Sequence, residues 1–269
     1  IAWLSDTQNY HNAYKPIFDG MTQWIADNRA ALDIRFVFHT GDVVGSWSSE
    51  DQWRQARESM GILSNASIPF LTVCGNHDIG YRMNYANFLK YVLSLRPASM
   101  SQEYGDTGSR YELFSANGRD YIFMGIAFSN KGPSEDEVNW INGVLRQYSS
   151  RDAIIITHSY LKKSAAYTTQ GKAIFEKIVK ANPNVFLVLC GHCRDISYKN
   201  VQLDDDGDGD PDRTVYAILS NFQGSKAGGG GYMRILDFRD SDIYIYTYSP
   251  YYDSCEYPKG KTEATVPLP

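Results

Sequence analysis

The chain has 269 residues, 43% apolar content and a formal net charge of −5, which is enough apolar material for the core of one α/β domain. Positive and negative charges are mixed along the sequence, so we expect no nucleic-acid-binding track. No apolar run approaches the roughly 18 residues that a membrane-spanning helix needs. The first residues lack the basic and apolar regions of a signal peptide. Because the chain starts directly on a predicted strand, we do not take the absence of a signal peptide as evidence for a cytoplasmic location.

Strand and helix patterns alternate from the first residue. The first three predicted strands cover 1–5, 34–39 and 68–73. Between the first two strands, apolar residues recur at helical spacing. These residues are Ile17, Met21, Trp24, Ile25 and Leu32. A second helix is predicted over 48–63, beginning with a capping box of Ser48 and Asp51.

The middle of the chain continues the alternation. Its predicted elements are a helix over 84–95, a hairpin of strands 110–115 and 119–128, a helix over 135–148, a strand over 153–158, a helix over 173–180 and a strand over 185–190. The turn sequence "ANG" marks the hairpin. Ser134 and Glu137 have the spacing of a capping box for the helix that follows them.

The final third shows strand patterns joined by short turns. These strands cover 214–222, 231–238 and 242–249, and we predict that they form a β-meander completing a second sheet. Alternating strands and helices followed by hairpins predict an α/β fold, a four-layer α/β/β/α sandwich of two mixed sheets flanked by helices. The domain is predicted to cover 1–250, with 251–269 as an extended tail.

Four cysteines are too few for a disulfide scaffold. Cys74 and Cys190 each end an apolar run, which predicts buried thiols. Cys190 and Cys193 form a C-x-x-C, but a second such pair is missing and the context is not thioredoxin-like, so we predict no zinc or redox site there. The disulfide state of these residues and of Cys255 stays open.

Five predicted strands each lead into a residue that can bind a metal. These residues are Asp6, Asp42, Asn76, His158 and His192. The carboxyl ends of strands in an open α/β sheet line one crevice, so the five side chains should meet in a candidate metal cluster. Each residue alone is more often a turn residue, a helix cap or a satisfied core histidine. Three of them directly follow a glycine, where the backbone can approach an ion closely.

The blocks "SDTQ", "TGD", "GNHD", "THS" and "GHC", in this order, resemble the calcineurin-like metallophosphoesterases, whose pattern is D-x-H, G-D, G-N-H-D/E, H and G-H-x-H. The resemblance covers about residues 1–250. It implies a pair of divalent metals bridged by Asp42 and a hydroxide. One ion would be bound by Asp42, Asn76, His158 and His192. The other would take Asp6 and Asp42, with Gln8 and Arg194 standing where the family has two histidines.

These two departures predict one tight metal site and one that is weakened or vacant. The amide oxygen of Gln8 is a weaker donor than imidazole and suits harder ions. Arg194 cannot ligate a cation because its guanidinium stays protonated. It could instead hold a substrate phosphate or simply point into solvent. Asn221 or Gln223 could fill the gap in the coordination shell.

The resemblance implies hydrolysis of phosphomonoesters or phosphodiesters by a metal-activated hydroxide. His77 would act as general acid, with Asp78 orienting it. The donor set suits Mn, Fe, Zn or Co, and the substrate would be a small phosphorylated molecule. Two alternatives remain. One is a single-metal relative that only binds a phosphorylated ligand or partner, and the other is a calcium-stabilised extracellular interaction module.

An acidic segment, "LDDDGDGDPD", matches the first half of a calcium loop through Asp204, Asp206 and Asp208. Val215 stands at the twelfth position, where such a loop needs Glu. We therefore favour a solvated loop between two strands, with structural calcium as the alternative. This segment resembles the Asp-Gly calcium loops of extracellular proteins. The blocks "SDTQ", "LSNFQ" and "GGGGYMRILDF" resemble a branch of the family found often among secreted bacterial members, and the two resemblances together predict an extracytoplasmic location. The tyrosines of "YIYTYSPYY" are predicted to pack in a sheet and not to form a stacking platform.

Overall fold

The computed structural model describes residues 1–95, 102–105, 107–260 and 262–269, so Lys261 of the predicted tail lies outside the described part. The strands are β1 (Ala2–Leu4), β2 (Val37–His39), β3 (Phe70–Thr72), β4 (Gln102–Tyr104), β5 (Ser109–Ala116), β6 (Arg119–Ile126), β7 (Asp152–Thr157), β8 (Val185–Cys190), β9 (Asp195–Leu203), β10 (Arg213–Asn221), β11 (Met233–Phe238), β12 (Asp242–Tyr248) and β13 (Ala264–Pro267). The α-helices are α1 (Lys15–Asp27), α2 (Glu50–Asn65), α3 (Ala86–Tyr91), α4 (Glu135–Gln147) and α5 (Thr169–Ile174), which continues as a π-helix over Phe175–Val179. Two 3-10 turns cover Asn12–Tyr14 and Leu93–Leu95.

The strands form two mixed sheets, as predicted. The first sheet has the order β13-β12-β11-β1-β2-β3, in which β1, β2 and β3 are parallel. The second has the order β4-β5-β6-β7-β8-β10-β9, in which β6, β7, β8 and β10 are parallel. In each sheet the parallel strands, three in the first and four in the second, therefore have their carboxyl ends on the same side of the sheet.

The predicted β-meander is wrong. Strand β10 pairs with β8 and β9 in the second sheet, whereas β11 and β12 join the first sheet beside β1. The segment 222–232 crosses between the sheets. Strand β9 was missed because it is a half-exposed edge strand with many polar residues, which carries little apolar periodicity. The last residues form the edge strand β13, paired with β12.

Apolar side chains fill the space on both faces of each sheet. Helices α1 and α2 cover the outer face of the first sheet, where Phe18 and Met60 are buried. Helices α4 and α5 cover the outer face of the second sheet. Between the sheets the rings of Phe38 and Phe123 pack edge to face, with their centroids 4.8 Å apart. The four-layer α/β/β/α order follows from this packing.

Helix ends depart from the prediction in details. Helix α1 ends at Asp27, and Leu32, predicted on its apolar face, is 47% exposed. The cap of α2 is Ser49 and not Ser48, with the Ser49 hydroxyl accepting from the Gln52 N–H. Ser134 caps α4 as predicted.

Two further predictions concern the cysteines and membrane-spanning helices. Cys74 and Cys190 are buried, as predicted, and all four cysteines are free thiols. In the part of the chain that the structure describes, none of the helices combines the length and apolar character required to cross a bilayer.

Candidate metal centre

The five strand-end residues meet where the parallel strands of both sheets end. Strands β1, β2 and β3 lead into Asp6, Asp42 and Asn76, and strands β7 and β8 lead into His158 and His192. The donor atoms of Asp42, His158 and His192 all lie within 4.8 Å of one another. The Oδ1 atom of Asn76 is 3.1 Å from His158 Nε2, and Asp42 Oδ1 is 3.3 Å from the same nitrogen. The four residues predicted for the tighter ion are therefore together.

Asp6 and Gln8 lie beside this group. The Asp6 carboxylate accepts hydrogen bonds from the backbone N–H of His192, at 3.1 and 3.2 Å, and from the Ser5 hydroxyl. Gln8 Nε2 donates to Asp42 Oδ2 at 3.2 Å and to Gln223 Oε1 at 2.8 Å. Among the described residues, Gln8 Oε1 is buried with no hydrogen-bond partner.

The unpaired oxygen of Gln8 tests whether a cation fits. Leaving a buried acceptor without a partner costs about 1–3 kcal/mol, and Gln8 is only 4% exposed. An amide oxygen is a suitable ligand for a hard divalent ion, and the nitrogen of the same Gln8 amide contacts the Asp42 carboxylate. The imidazoles of His158 and His192 complete a mixed oxygen and nitrogen donor set. The residues present therefore fit a divalent metal.

The backbone is strained at the donor residues. Asp6, Asp42 and His192 have φ values of 51°, 54° and 69°, in the left-handed region. Such conformations cost about 1–3 kcal/mol and concentrate at functional sites. A β-carbon at Gly75 would overlap the carboxylate and backbone nitrogen of Asp42, and one at Gly191 would overlap the Asp6 carboxylate. The glycines thus let neighbouring loops approach the donors.

We expect Gly75→Ala to damage the centre. The added methyl group must displace Asp42, so the free energy of unfolding of the metal-free protein should fall by about 1–3 kcal/mol, with weaker metal binding. Gly143→Ala is the matched control, because Gly143 lies in α4 with open space around its β-position. It should raise stability by about 0.5–1 kcal/mol. Denaturant unfolding measures both, and equal stability of Gly75→Ala and wild type would contradict the assignment.

His77 lies at the surface of the same cluster. Its backbone N–H donates to Asp42 Oδ1 at 2.9 Å, and its ring Nδ1 lies 2.9 Å from the Gly45 carbonyl oxygen. Since a carbonyl only accepts, Nδ1 carries the proton in this bond. The exposed ring then has Nε2 available to a substrate.

The prediction that Asp78 orients the His77 ring is wrong. Asp78 is buried, and its carboxylate accepts from the backbone N–H groups of the loops that follow β2 and β3. The donors are Val43 at 2.8 Å, Val44 at 3.0 Å and Gly75 at 2.7 Å. Asp78 therefore ties these two loops together, and the Gly45 carbonyl orients the ring.

Burial and neighbouring charges shift the pKa values of three residues in the centre. Burial disfavours protonated His158, but the adjacent Asp42 carboxylate outweighs burial and raises the pKa of His158 to about 9. Burial raises the pKa of Asp6 to about 7 and lowers the pKa of His192 to about 4. At neutral pH, His158 thus carries a proton and His192 does not.

We expect metal affinity to rise with pH. An ion and a proton compete for Nε2 of His158, so binding must release the proton while the pH is below about 9. Affinity should increase up to about tenfold per pH unit between pH 6.5 and 8.5. Calorimetric titrations in buffers with different ionisation enthalpies should show about one proton released by His158. Affinity that does not change with pH would exclude His158 as a ligand.

The loop after β10 supplies further groups. Asn221 Nδ2 donates to the His192 carbonyl at 3.0 Å, and Asn221 Oδ1 accepts from the Gln223 N–H at 2.9 Å. Asn221 therefore positions its neighbours, while Gln223 contacts Gln8 directly. Arg194 is exposed, and its Cδ lies 3.8 Å from the β-position of Gly224, which follows Gln223.

Two contacts at the centre were not predicted. The Thr40 carbonyl oxygen is 2.8 Å from His158 Nδ1, which directs His158 Nε2 toward Asp42. The Phe128 ring centroid lies 5.8 Å from that of His158 and 6.1 Å from that of His192. A backbone carbonyl has no sequence signature, but Phe128 ends the predicted hairpin strand and could have been included.

The three aspartates of the acidic segment also lie together. Carboxylate oxygens of Asp204, Asp206 and Asp208 lie within 4.8 Å of one another, fully exposed, in the loop between β9 and β10. The Asp204 carboxylate accepts from the N–H groups of Gly207 and Gly209. These bonds order the loop, and calcium binding stays a prediction.

The profile of the calcineurin-like phosphoesterase family matches residues 1–193. The chain belongs to the calcineurin-like phosphoesterase family. The predicted resemblance is thereby confirmed, and membership implies a hydrolase family that uses divalent metals. The likeness to the branch with "DTQ" stays a prediction.

Several known proteins are similar to this chain. The uncharacterized protein YvnB of Bacillus subtilis (strain 168) is 41% identical over 257 residues, which are 93% of this chain and 20% of YvnB. The chain thus spans about a fifth of that relative. GAP50, titled the anchor in the inner membrane complex of Plasmodium, has a TM-score of 0.63 at 14% identity, covering 100% of this chain and 88% of GAP50. TT1561 of Thermus thermophilus has a TM-score of 0.58 at 14% identity, covering 93% of this chain and 97% of TT1561. These two structures support the fold.

Proposed function

We propose that this phosphoesterase hydrolyses small phosphomonoesters or phosphodiesters, with a tight ion at Asp42, Asn76, His158 and His192. One observation carries the proposal. Asp42 Oδ1 accepts the backbone N–H of His77 and lies 3.3 Å from His158 Nε2. The proposed proton donor is thus tethered to the carboxylate at the centre of the donor set, a geometry that favours hydrolysis over simple retention of a ligand.

The side chains divide the chemistry among them. Bound divalent ions of Mn, Fe, Zn or Co lower the pKa of water and balance phosphoryl charge. His77 donates from Nδ1 to the Gly45 carbonyl, and in its imidazolium form it also presents Nε2–H to the leaving oxygen as general acid, ending as the neutral ring. Asp78 keeps the loops that carry His77 and Asp42 in place. Arg194, on the Gln223 side of the centre, adds positive charge for the phosphoryl oxygens.

We expect the wild-type protein to hold one ion tightly and a second weakly. Gln8 offers an amide where the family has imidazole, so Gln8→His combined with Arg194→His should raise metal content toward two ions per chain. The single variant Arg194→His is the control for the second position. Elemental analysis after dialysis against trace metal measures the change. An unchanged metal content in the double variant would place residues 8 and 194 outside the coordination shell.

The direct test pairs metal content with turnover on one sample. Aryl phosphomonoesters and phosphodiesters are supplied after loading with Mn, Zn or Fe. Hydrolysis with at least one ion per chain supports the proposal. One bound ion without turnover would instead favour the single-metal relative that binds a phosphorylated ligand. The extracytoplasmic location is part of the proposal and is tested by fractionating the cells that produce the natural protein.

A further inference from the structure

A cavity opens at the segment that follows Gln223, the residue that contacts Gln8 in the metal centre. It has a volume of about 520 Å³, which is within the range of small-molecule sites. We call it the tyrosine pocket. Its principal lining residues are Gly224, Lys226, Tyr232, Tyr252, Pro258 and Lys259. None of these residues belongs to the metal centre, and Tyr232 alone among them falls in a block that resembles the family.

The tyrosine pocket starts one residue from the metal centre. Gly224 follows Gln223, which accepts a hydrogen bond from Gln8, and Gln8 bonds to Asp42. The Cδ atom of Arg194 lies 3.8 Å from the β-position of Gly224. A substrate with its phosphate at Asp42 can therefore place its remaining part in the pocket.

The walls of the pocket are fixed before any ligand binds. The Tyr232 hydroxyl donates to the Glu256 carbonyl at 3.1 Å, and the rings of Tyr232 and Tyr252 are 5.7 Å apart. The four glycines 228–231 all have positive φ. At Gly230, a β-carbon would collide with the Tyr252 ring. Glycine there lets the loop pack against Tyr252, so little ordering is needed on binding.

The chemistry of the pocket combines an aromatic surface with positive charge. Tyr252 is 44% exposed and can stack on a planar group. Lys226 and Lys259 are exposed at the rim, and Arg194 lies on the side of the metal centre. The nearby Asp195 is ion-paired with Lys163 at 2.5 Å. Arg194, Lys226 and Lys259 therefore bring three positive charges to the mouth, where the exposed Asp253 directly follows Tyr252 in the chain.

We propose that the tyrosine pocket selects phosphorylated molecules in which a planar aromatic group is joined to a second negatively charged group, the chemistry of a nucleoside diphosphate. The bond that water cleaves is then the terminal phosphoanhydride, in place of the ester of the proposed function, and the products are inorganic phosphate and the nucleoside monophosphate. The terminal phosphate occupies the metal centre, the second anion lies near Arg194 and the lysines, and the planar ring stacks on Tyr252. This inference rests on the proposed function, because it places the scissile phosphate at the metal centre.

The test compares two non-hydrolysable probes by calorimetry on metal-loaded protein at fixed free metal. Adenosine α,β-methylene diphosphate carries two anions and the ring, and methylenediphosphonate carries the anions alone. Wild type should bind the nucleoside probe at least about tenfold more tightly, which is within the range for base stacking on an aromatic side chain. Tyr252→Ala should reduce this ratio about tenfold, and Tyr252→Phe should restore it.

Tyr251→Ala is the matched control. Tyr251 is the adjacent tyrosine, 53% exposed, but it lines a different cavity, so its removal should keep the ratio. The combined variant Lys226→Ala and Lys259→Ala should lower the affinity for methylenediphosphonate about tenfold relative to inorganic phosphate. The control for charge is Lys172→Ala, on the outer helix α5.

Two results would overturn the inference. One is equal affinity of wild type for both probes, and the other is the same ratio in Tyr252→Ala as in Tyr251→Ala. Turnover of simple aryl phosphoesters, measured on the same preparation, distinguishes failure of the pocket inference from failure of the proposed function. Turnover without preference for the nucleoside probe removes only the pocket assignment. Preference without turnover keeps the pocket as a binding site and removes the hydrolase proposal.

Discussion

His77→Ala should slow hydrolysis of alkyl phosphoesters by about 10²–10⁴-fold and affect nitrophenyl phosphoesters much less. An alkoxide leaves only if it is protonated as the bond breaks, whereas nitrophenolate is stable without a proton. The His77 ring is anchored through Nδ1 to the Gly45 carbonyl, 2.9 Å away. Nε2 is therefore the atom that protonates the leaving oxygen. The measured quantity is the ratio of kcat for the two ester classes.

Metal content and stability serve as internal checks on this variant. Alanine keeps the backbone N–H that binds Asp42, and His77 is exposed, so both should stay close to wild type. His11→Ala is the matched control, because its imidazole bonds to the Gln8 carbonyl at 3.1 Å. It should leave the ratio between ester classes unchanged. An equal loss for alkyl and nitrophenyl esters in His77→Ala would remove the general-acid role.

Asp42→Asn should reduce metal affinity by at least about a hundredfold, since even residues that only support a ligand cost 10–100-fold. Asp42 contacts His158, His77 and Gln8 through its two oxygens. Removing its charge also removes the main influence that raises the pKa of His158, so burial should lower that pKa below its ordinary value of 6.5. Histidine NMR titration of the metal-free variant measures this shift independently of turnover.

A surface substitution of the same type provides the comparison. Asp237→Asn also replaces a carboxylate by an amide, but Asp237 is exposed and paired with Arg239. It should keep metal affinity and the pKa of His158, because surface pairs contribute little. Thermal unfolding with and without Zn or Mn completes the test. If the ion stabilises Asp42→Asn as much as wild type, Asp42 is not the central ligand.

The sequence predicted the layers better than the strand partners. Alternating patterns located β1 to β3 and β5 to β8, because buried strands and amphipathic helices carry clear periodicity. It misplaced β10 relative to β11, because a strand pattern does not state which sheet the strand joins. The cap at Ser49 was misassigned by one residue, since neighbouring serines offer the same side chain.

At the site, the sequence predicted the side chains that follow strands and missed the contacts that are made by backbone groups. Asp42 and His158 were predicted to meet because both follow parallel strands. The role of Asp78 was misread, since its partners are backbone N–H groups with no residue-specific signature. The tyrosine pocket was also beyond prediction. Tyr252 follows a strand in which alternate aromatics favour sheet packing, and it lines the pocket through its contacts with Gly230 and Tyr232, in the segment that crosses between the sheets.

The donor residues come from both sheets, so a bound ion joins two layers that otherwise meet through apolar packing and a few hydrogen bonds, such as the one between His158 Nδ1 and the Thr40 carbonyl oxygen. An ion present at a hundred times its dissociation constant adds about 2.7 kcal/mol to the folded state. Because ion binding and folding are linked, a change in the folded state also changes ion binding. A substitution at the Phe38 and Phe123 contact, which lets the layers slide, should weaken ion binding although it touches no donor. Metal supply would then determine how many core substitutions this fold tolerates, which links the mutational robustness of the sandwich to its chemical environment.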